Sequence, residues 1–243
     1  MKTYGLIGYP LSHSFSRQYF LEKFQKENIK DAEFKNFELP DIEGVYNLLK
    51  TESNLQGFAI TIPYKKSIVN FLNSASDEVN EIGACNCVSI KAGKLHGYNT
   101  DVPGFEKSFA AQLKENHKKA LVLGTGGAAA AVEFVLKRLG LLYLNVSRAK
   151  TGATISYDEI DGALMSDYNI IINCTPVGTS PHIDECPPIP YNFITSLHYC
   201  YDLIYNPPLT KFLHLAQSHG AVIQNGYNML VQQAEENWLL WNQ

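Results

Sequence analysis

Residues able to do chemistry gather in a few short segments of this chain, each following an apolar run. Ile60-Thr61-Ile62-Pro63-Tyr64-Lys65-Lys66 sets two adjacent lysines behind a proline that stops a strand. Such a pair is ordinarily solvated surface charge, yet one lysine beside a carboxylate in a cleft can exchange a proton with an alcohol or ketone oxygen. Gly83-Ala84-Cys85-Asn86-Cys87 and Gly97-Tyr98-Asn99-Thr100-Asp101 then supply an amide and a carboxylate. Asn86 and Asp101 read either as ligand-facing groups or as a turn residue and a helix N-cap. Gly8-Tyr9-Pro10-Leu11-Ser12-His13-Ser14-Phe15-Ser16 adds three hydroxyls and an imidazole between a strand and a helix. One serine there, Ser14 or Ser16, would ordinarily cap the helix; two pointing into one crevice suggest a polar ligand that bears a carboxylate.

A second kind of site begins at Gly124-Thr125-Gly126-Gly127-Ala128-Ala129, a GxGxxA pattern between an apolar strand and an apolar helix. In that setting the glycines bring backbone N–H groups close to a pyrophosphate, and the helix N-terminus favours its charge. The alternative is an ordinary tight turn. At the end of the following strand, where a carboxylate would hold the ribose hydroxyls of NAD, stands Asn145-Val146-Ser147-Arg148-Ala149-Lys150. No acid is present, and Arg148 and Lys150 can pair with a 2′-phosphate, so NADP is the expected cofactor.

These segments need a scaffold that places them at strand ends. Strand-like Tyr4 to Ile7, helix-like Gln18 to Gln25, strand-like Phe34 to Leu39, helix-like Ile42 to Leu49 and strand-like Gly57 to Ile62 make a βαβαβ series, which implies a parallel sheet. Val88 to Ile90 and Leu95 to Tyr98 read as a hairpin turned at Gly93, adding antiparallel strands. A helix from about Val102 to Leu113 leads to a second βα series, with strands Ala120 to Leu123, Leu142 to Val146, Ile170 to Asn173, Tyr199 to Leu203 and Ala221 to Gln224. Met229 to Trp241 carries apolar residues at helical spacing and should bury one face. The expected fold is α/β in two domains: residues 1–101 plus 225–243 with a mixed, mainly parallel sheet, and a Rossmann-type domain over 102–224, with the active site in the cleft.

Bulk properties narrow the function. A chain of 243 residues with 45% apolar content buries an adequate core without disulfides or metal. The net charge of -4, with its cations dispersed, gives no phosphate-backbone footprint, so nucleic acid is not an expected partner. Five cysteines at irregular spacing fit neither a disulfide framework nor a zinc pattern. No apolar run approaches the roughly 20 residues of a membrane span. A cytoplasmic location is the expectation, and no metal is called for.

Taken together, the motifs resemble the shikimate dehydrogenase family, in order from Tyr4 to about Trp241. The GxPxxHSxS pattern is met by Gly8, Pro10, His13, Ser14 and Ser16, TxPxK by Thr61, Pro63 and Lys65, and GxNTD by Gly97, Asn99, Thr100 and Asp101. The resemblance implies an NADP(H)-dependent reduction of 3-dehydroshikimate to shikimate, with Lys65 as acid/base group and Asp101 beside it. It assigns the substrate's carboxylate and hydroxyls to Ser14, Ser16, Thr61, Asn86, Asp101 and Gln233, with Tyr205 nearby. It assigns the cofactor to Gly124, Gly126, Gly127, Ala128, Ser147, Arg148 and Lys150, with Leu203 and Gly226 near the nicotinamide. Asn173-Cys174-Thr175-Pro176-Val177-Gly178 and Tyr201-Asp202-Leu203-Ile204-Tyr205-Asn206-Pro207 resemble the family's NATPVG and YDxxYxP segments. Ser147-Arg148-Ala149 departs from the family's Asn-Arg-Thr, and Cys87, Arg17, Thr179 and Asn228 stand where threonine, proline, methionine and glycine are usual. The rival readings are a quinate or dual quinate/shikimate dehydrogenase using NAD, a methylenetetrahydrofolate dehydrogenase, and a shikimate-sensing module without turnover. A monomer or a homodimer fits equally.

Overall fold

The computed structural model describes residues 1–11 and 15–243, and the chain divides into two compact units, Met1–Thr100 with Gln233–Gln243, and Asp101–Gln232.

In the first unit the elements run β1 (Lys2–Gly8), α1 (Phe15–Lys26), β2 (Ala32–Glu38), α2 (Gly44–Thr51), β3 (Leu55–Ile60), β4 (Ser74–Ala75), α3 (Asp77–Ile82), β5 (Cys87–Lys91) and β6 (Lys94–Tyr98). They form one six-stranded sheet of order β2-β1-β3-β5-β6-β4. β1 pairs in parallel with both β2 and β3, whereas β5 runs antiparallel to β3 and β6. All but the first residue of β1 are buried, because the sheet is covered on both faces. On one face Ile7, Phe58, Ile60, Val88 and Leu95 pack with Val45 and Leu48 of α2; on the other Tyr4, Leu6 and Ala59 pack with Phe20 and Phe24 of α1, and with Ala234 and Trp241. Sequence expectation carried β3 on to Ile62, but the strand ends at Ile60 and the chain turns there, the Tyr64 N–H reaching back to the Thr61 carbonyl at 3.0 Å.

The second unit runs α4 (Asp101–Ala110), β7 (Lys119–Leu123), α5 (Gly127–Arg138), β8 (Leu142–Ser147), β9 (Thr154–Ser156), α6 (Gly162–Asp167), β10 (Ile170–Asn173), β11 (Tyr199–Asp202), α7 (Lys211–Ser218), β12 (Val222–Gln224) and α8 (Tyr227–Trp241). Its sheet has the order β12-β11-β10-β7-β8-β9, and each pairing is parallel. This is the doubly wound arrangement, and the order reverses between β7 and β10. β10 and β11 are buried throughout, as strands covered on both faces must be. The change from one compact unit to the other falls between Gln232 and Gln233, within α8. The two-residue β4 and three-residue β9 escape any periodicity, being shorter than the window that shows one. Among the described residues no helix is long and apolar enough to cross a membrane, and no group of three or more His, Cys, Asp or Glu is arranged to hold a metal.

The β5–β6 hairpin turns on two residues with left-handed backbone, Ala92 at φ 50° and Gly93 at φ 73°. Both central positions of such a turn demand positive φ, so the glycine alone does not supply it. Alanine pays for that conformation through its Cβ. Ala92→Gly should therefore raise stability by about 0.5–1 kcal/mol, seen as a higher urea midpoint at unchanged slope; an unchanged midpoint would show that the turn carries no strain.

Candidate active site

The segment holding Lys65 is fixed by its backbone and by the Tyr64 hydroxyl. The Thr61 N–H donates to the Ile7 carbonyl at 2.9 Å, the Lys65 carbonyl accepts the Cys85 N–H at 2.7 Å, and the Tyr64 hydroxyl donates to the Leu39 carbonyl at 2.5 Å. Lys65 is consequently half-buried while Lys66 is exposed, which separates two lysines that sequence alone leaves equivalent. Thr61 is half-buried just past the end of β3 and lies against the end of β1, where a Cβ on Gly8 would fall 2.5 Å from Thr61 Cγ2. Ser16 lies inside α1, which begins at Phe15, so it is not the residue preceding the helix that a cap requires. Ser14 lies outside the described residues.

Asn86 is the centre of a buried polar cluster. Its Oδ1 accepts from the Thr100 N–H at 2.6 Å and lies 3.1 Å from Thr100 Oγ1, while its Nδ2 donates to Gln233 Oε1 at 3.2 Å. Thr100 Oγ1 is nearer to Asn237 Oδ1, at 2.7 Å, so one hydroxyl proton serves two acceptors. Asn86 and Gln233, expected separately from the sequence, are thus brought into contact. Asn237, one helical turn beyond Gln233 and 3% exposed, was not foreseen; the signal was a polar residue at i+4 on a face otherwise apolar. Asp101 is 4% exposed and is the first residue of α4, so its carboxylate sits in the first turn, where a negative charge is favoured, rather than preceding the helix.

In the second unit the glycine loop joins β7 to α5. Gly124 has φ +102°, and a Cβ there would lie 2.9 Å from Thr175 Cγ2, so the loop packs against the end of β10 at the point where the strand order reverses. Gly126, the residue before α5, and Gly127, its first residue, have nothing within 4 Å of where a Cβ would stand. No acidic residue occupies the first turn of α5, which begins Gly127-Ala128. An open backbone cradle at an uncharged helix N-terminus fits the pyrophosphate of a dinucleotide. Ser147 closes β8, its hydroxyl donating to the Ala149 carbonyl; Arg148 and Lys150 follow, both exposed.

Neighbouring strand ends are tied by an internal carboxylate. Asp202 is fully buried, its Oδ1 accepting from Asn173 Nδ2 and the Ile204 N–H, each at 3.0 Å, and its Oδ2 from Thr210 Oγ1 at 2.6 Å. Asn173 in turn accepts from the N–H and hydroxyl of Thr175 at 3.0 and 2.6 Å. Burial pushes the Asp202 carboxyl up to about 6, and the bonds from Thr210, Ile204 and Asn173 oppose it. This network holds Leu203, whose N–H donates to the Asn173 carbonyl at 3.0 Å. Leu203 in turn lies against Gly226, where a Cβ would fall 2.0 Å from the Leu203 carbonyl oxygen, so only glycine fits. Tyr205 follows, half-buried, its hydroxyl made less acidic by that burial. The sequence gives roles to Leu203, Tyr205 and Gly226, whereas Asn173, Thr175 and Asp202 enter there only as motif residues and Thr210 not at all.

With that geometry in hand, the similarity to known proteins is informative. Residues 6–88 match the family model of the shikimate dehydrogenase substrate binding domain. A shikimate dehydrogenase (NADP(+)) of Caldanaerobacter subterraneus is 36% identical over 258 residues, spanning 99% of this chain and 91% of that protein. The chain belongs to the shikimate dehydrogenase family. The crystal structure of shikimate dehydrogenase from Aquifex aeolicus is 30% identical and superposes with a TM-score of 0.87, covering 100% of this chain and 92% of that one. Shikimate 5-dehydrogenase from Thermus thermophilus, solved in complex with NADP(H) and shikimate, is 28% identical with a TM-score of 0.87, covering 99% and 93%. Since the family model reaches only residue 88, it is this full-length similarity that brings the second unit into the family as well.

Removing the Asp202 carboxylate leaves the Ile204 N–H and the Thr210 hydroxyl without an acceptor, and Asn173 Nδ2 with only the Val177 carbonyl at 3.4 Å. Asp202→Ala should cost about 2–3 kcal/mol in urea unfolding, whereas a loss below about 0.5 kcal/mol would show that the donors find other partners.

Proposed function

We propose that this chain is an NADP-dependent dehydrogenase that reversibly reduces 3-dehydroshikimate to shikimate, acting in the cytoplasm as a monomer or homodimer within aromatic amino acid biosynthesis. The observation that carries the reading is the Lys65 segment: a half-buried lysine held at a strand end by two main-chain hydrogen bonds and the Tyr64 hydroxyl, in a chain of this family. NADPH, when bound, supplies the hydride that adds to the carbonyl carbon. Lys65 gives its proton to the carbonyl oxygen as that oxygen takes the electron pair, and Asp101 orients the ammonium. Asn86 has one Nδ2 hydrogen beyond its bond to Gln233, and Thr61, Ser14, Ser16, Gln233 and Tyr205 supply further polar groups for hydroxyls and a carboxylate. Gly124, Gly126, Gly127 and Ala128 are assigned to the pyrophosphate, Ser147, Arg148 and Lys150 to the adenosine phosphate, and Leu203 and Gly226 to the nicotinamide end. On this reading residues 1–101 with 225–243 form the substrate domain and 102–224 the dinucleotide domain.

Turnover is read by the absorbance of the reduced nicotinamide, with shikimate or quinate and NADP⁺ or NAD⁺ in each combination. Rapid reduction only with shikimate and NADP⁺ is expected. Preference for quinate or NAD⁺ transfers the chain to the quinate-type reading, and binding of shikimate without turnover to the sensing module. Lys65→Ala should lower kcat by about 10²–10⁴ with KM little changed, and a change confined to KM would remove Lys65 from proton transfer.

A further inference from the structure

β8 ends at Ser147 and the chain rejoins the sheet at Thr154, so positions 148–153 form one short loop at the sheet edge. Thr154 closes it, Oγ1 accepting the Thr151 N–H at 2.9 Å and lying 3.3 Å from Ser147 Oγ. The two cations of this loop are differently placed. Arg148 is exposed and pairs with no carboxylate among the described residues; its charge is felt by Tyr157, where burial raises the hydroxyl and Arg148 partly offsets the rise. Lys150 is held by an acid, its Nζ 2.7 Å from Glu159 Oε1.

Glu159 is itself anchored. Its Oε2 accepts the Ser156 N–H at 2.8 Å and the Ser156 hydroxyl at 2.9 Å, closing a capping box over the 3₁₀ turn Tyr157–Glu159. Lys150 first, and the Ser156 donors after it, hold its carboxyl down to about 2, so it is charged at any physiological pH. A fixed carboxylate on Lys150 opposes a phosphate twice, by occupying the ammonium and by repelling the incoming dianion.

We propose that Glu159 is a specificity-determining residue for the cofactor: by holding Lys150 and keeping its own charge beside it, it narrows the preference for NADP(H) over NAD(H). The inference rests on the reading that positions 147–150 receive the adenosine phosphate. Glutamine at position 159 can still close the capping box, so Glu159→Gln removes the charge and keeps the turn. Lys150 and Glu159 are 62% and 37% exposed, so solvent and salt screen the pair and the effect is modest.

The test measures dissociation constants of NADPH and NADH for the wild type, Glu159→Gln, Lys150→Gln and the double variant. Glu159→Gln should tighten NADPH by roughly two- to fivefold without moving NADH, and less so when Lys150 is glutamine. Equal tightening of both cofactors, or none of NADPH, overturns the inference while leaving the proposed function standing. A wild type that binds neither cofactor defeats the proposed function itself, and this inference with it.

Discussion

Trp241 occupies the space that a side chain at position 57 would fill. A Cβ on Gly57 would lie 2.2 Å from Trp241 Cδ1; with hydrogen in its place the indole lies on the sheet, donating from Nε1 to the Val88 carbonyl at 3.0 Å. Tyr4 stacks on Trp241 with ring centroids 5.2 Å apart and meets Trp238 edge-on at 5.1 Å. Lys23, 6% exposed at its side chain, adds an ion pair to Glu235 at 2.8 Å, so α8 is held by apolar, hydrogen-bonded and ionic contacts together. These fix the rotation of the helix. Gln233 precedes Trp241 by about 2.2 turns, so its approach to Asn86 is set by where the tryptophan packs. Residues from the beginning of the chain thus reach their final arrangement only against residues from its end.

The second unit has a comparable fixed point in Asp202. Asn173 and Asp202 are register partners on adjacent parallel strands, which sets their side chains next to each other. A buried carboxylate is costly unless its oxygens are occupied, and here each has a donor: one receives Asn173 and the Ile204 N–H, the other Thr210, the N-cap of α7. The carboxylate therefore joins the loop after β10, the loop after β11 and the start of α7. Leu203 takes its position from that junction, and Gly226 must be a glycine to approach it.

Much of this was legible in the sequence. Unbroken apolar runs such as Ile170-Ile171-Ile172 announce strands covered on both faces, and the glycine loop between β7 and α5 stands where its pattern puts it. What escaped depends on partners with no local signature. Lys65 and Lys66 differ only in burial, which the Cys85 and Leu39 contacts decide from far along the chain. Glu159, in the turn after β9, meets Lys150 in the loop before it, a spacing that belongs to neither helix nor strand. Ala92 hides a left-handed residue behind the more evident Gly93, and Asn237 passes for a surface residue until Thr100 is seen against it.

The motif residues themselves are partly scaffold. Asn99 donates to the Ala84 carbonyl at 2.9 Å, and Thr100 gives its N–H and shares its hydroxyl with Asn86, so two polar residues of one motif are engaged by the segment that holds a third. Buried N–H and C=O groups must find partners, and a strand end that leaves its sheet has several to place. The spacing of these residues answers that requirement as well as any ligand's. Only capacity left after the internal bonds can face a ligand, and for Asn86 that is an N–H, since both acceptor positions of its Oδ1 face Thr100. A substrate group beside that N–H leans toward an oxygen that accepts. A carboxylate and ring hydroxyls meet that condition.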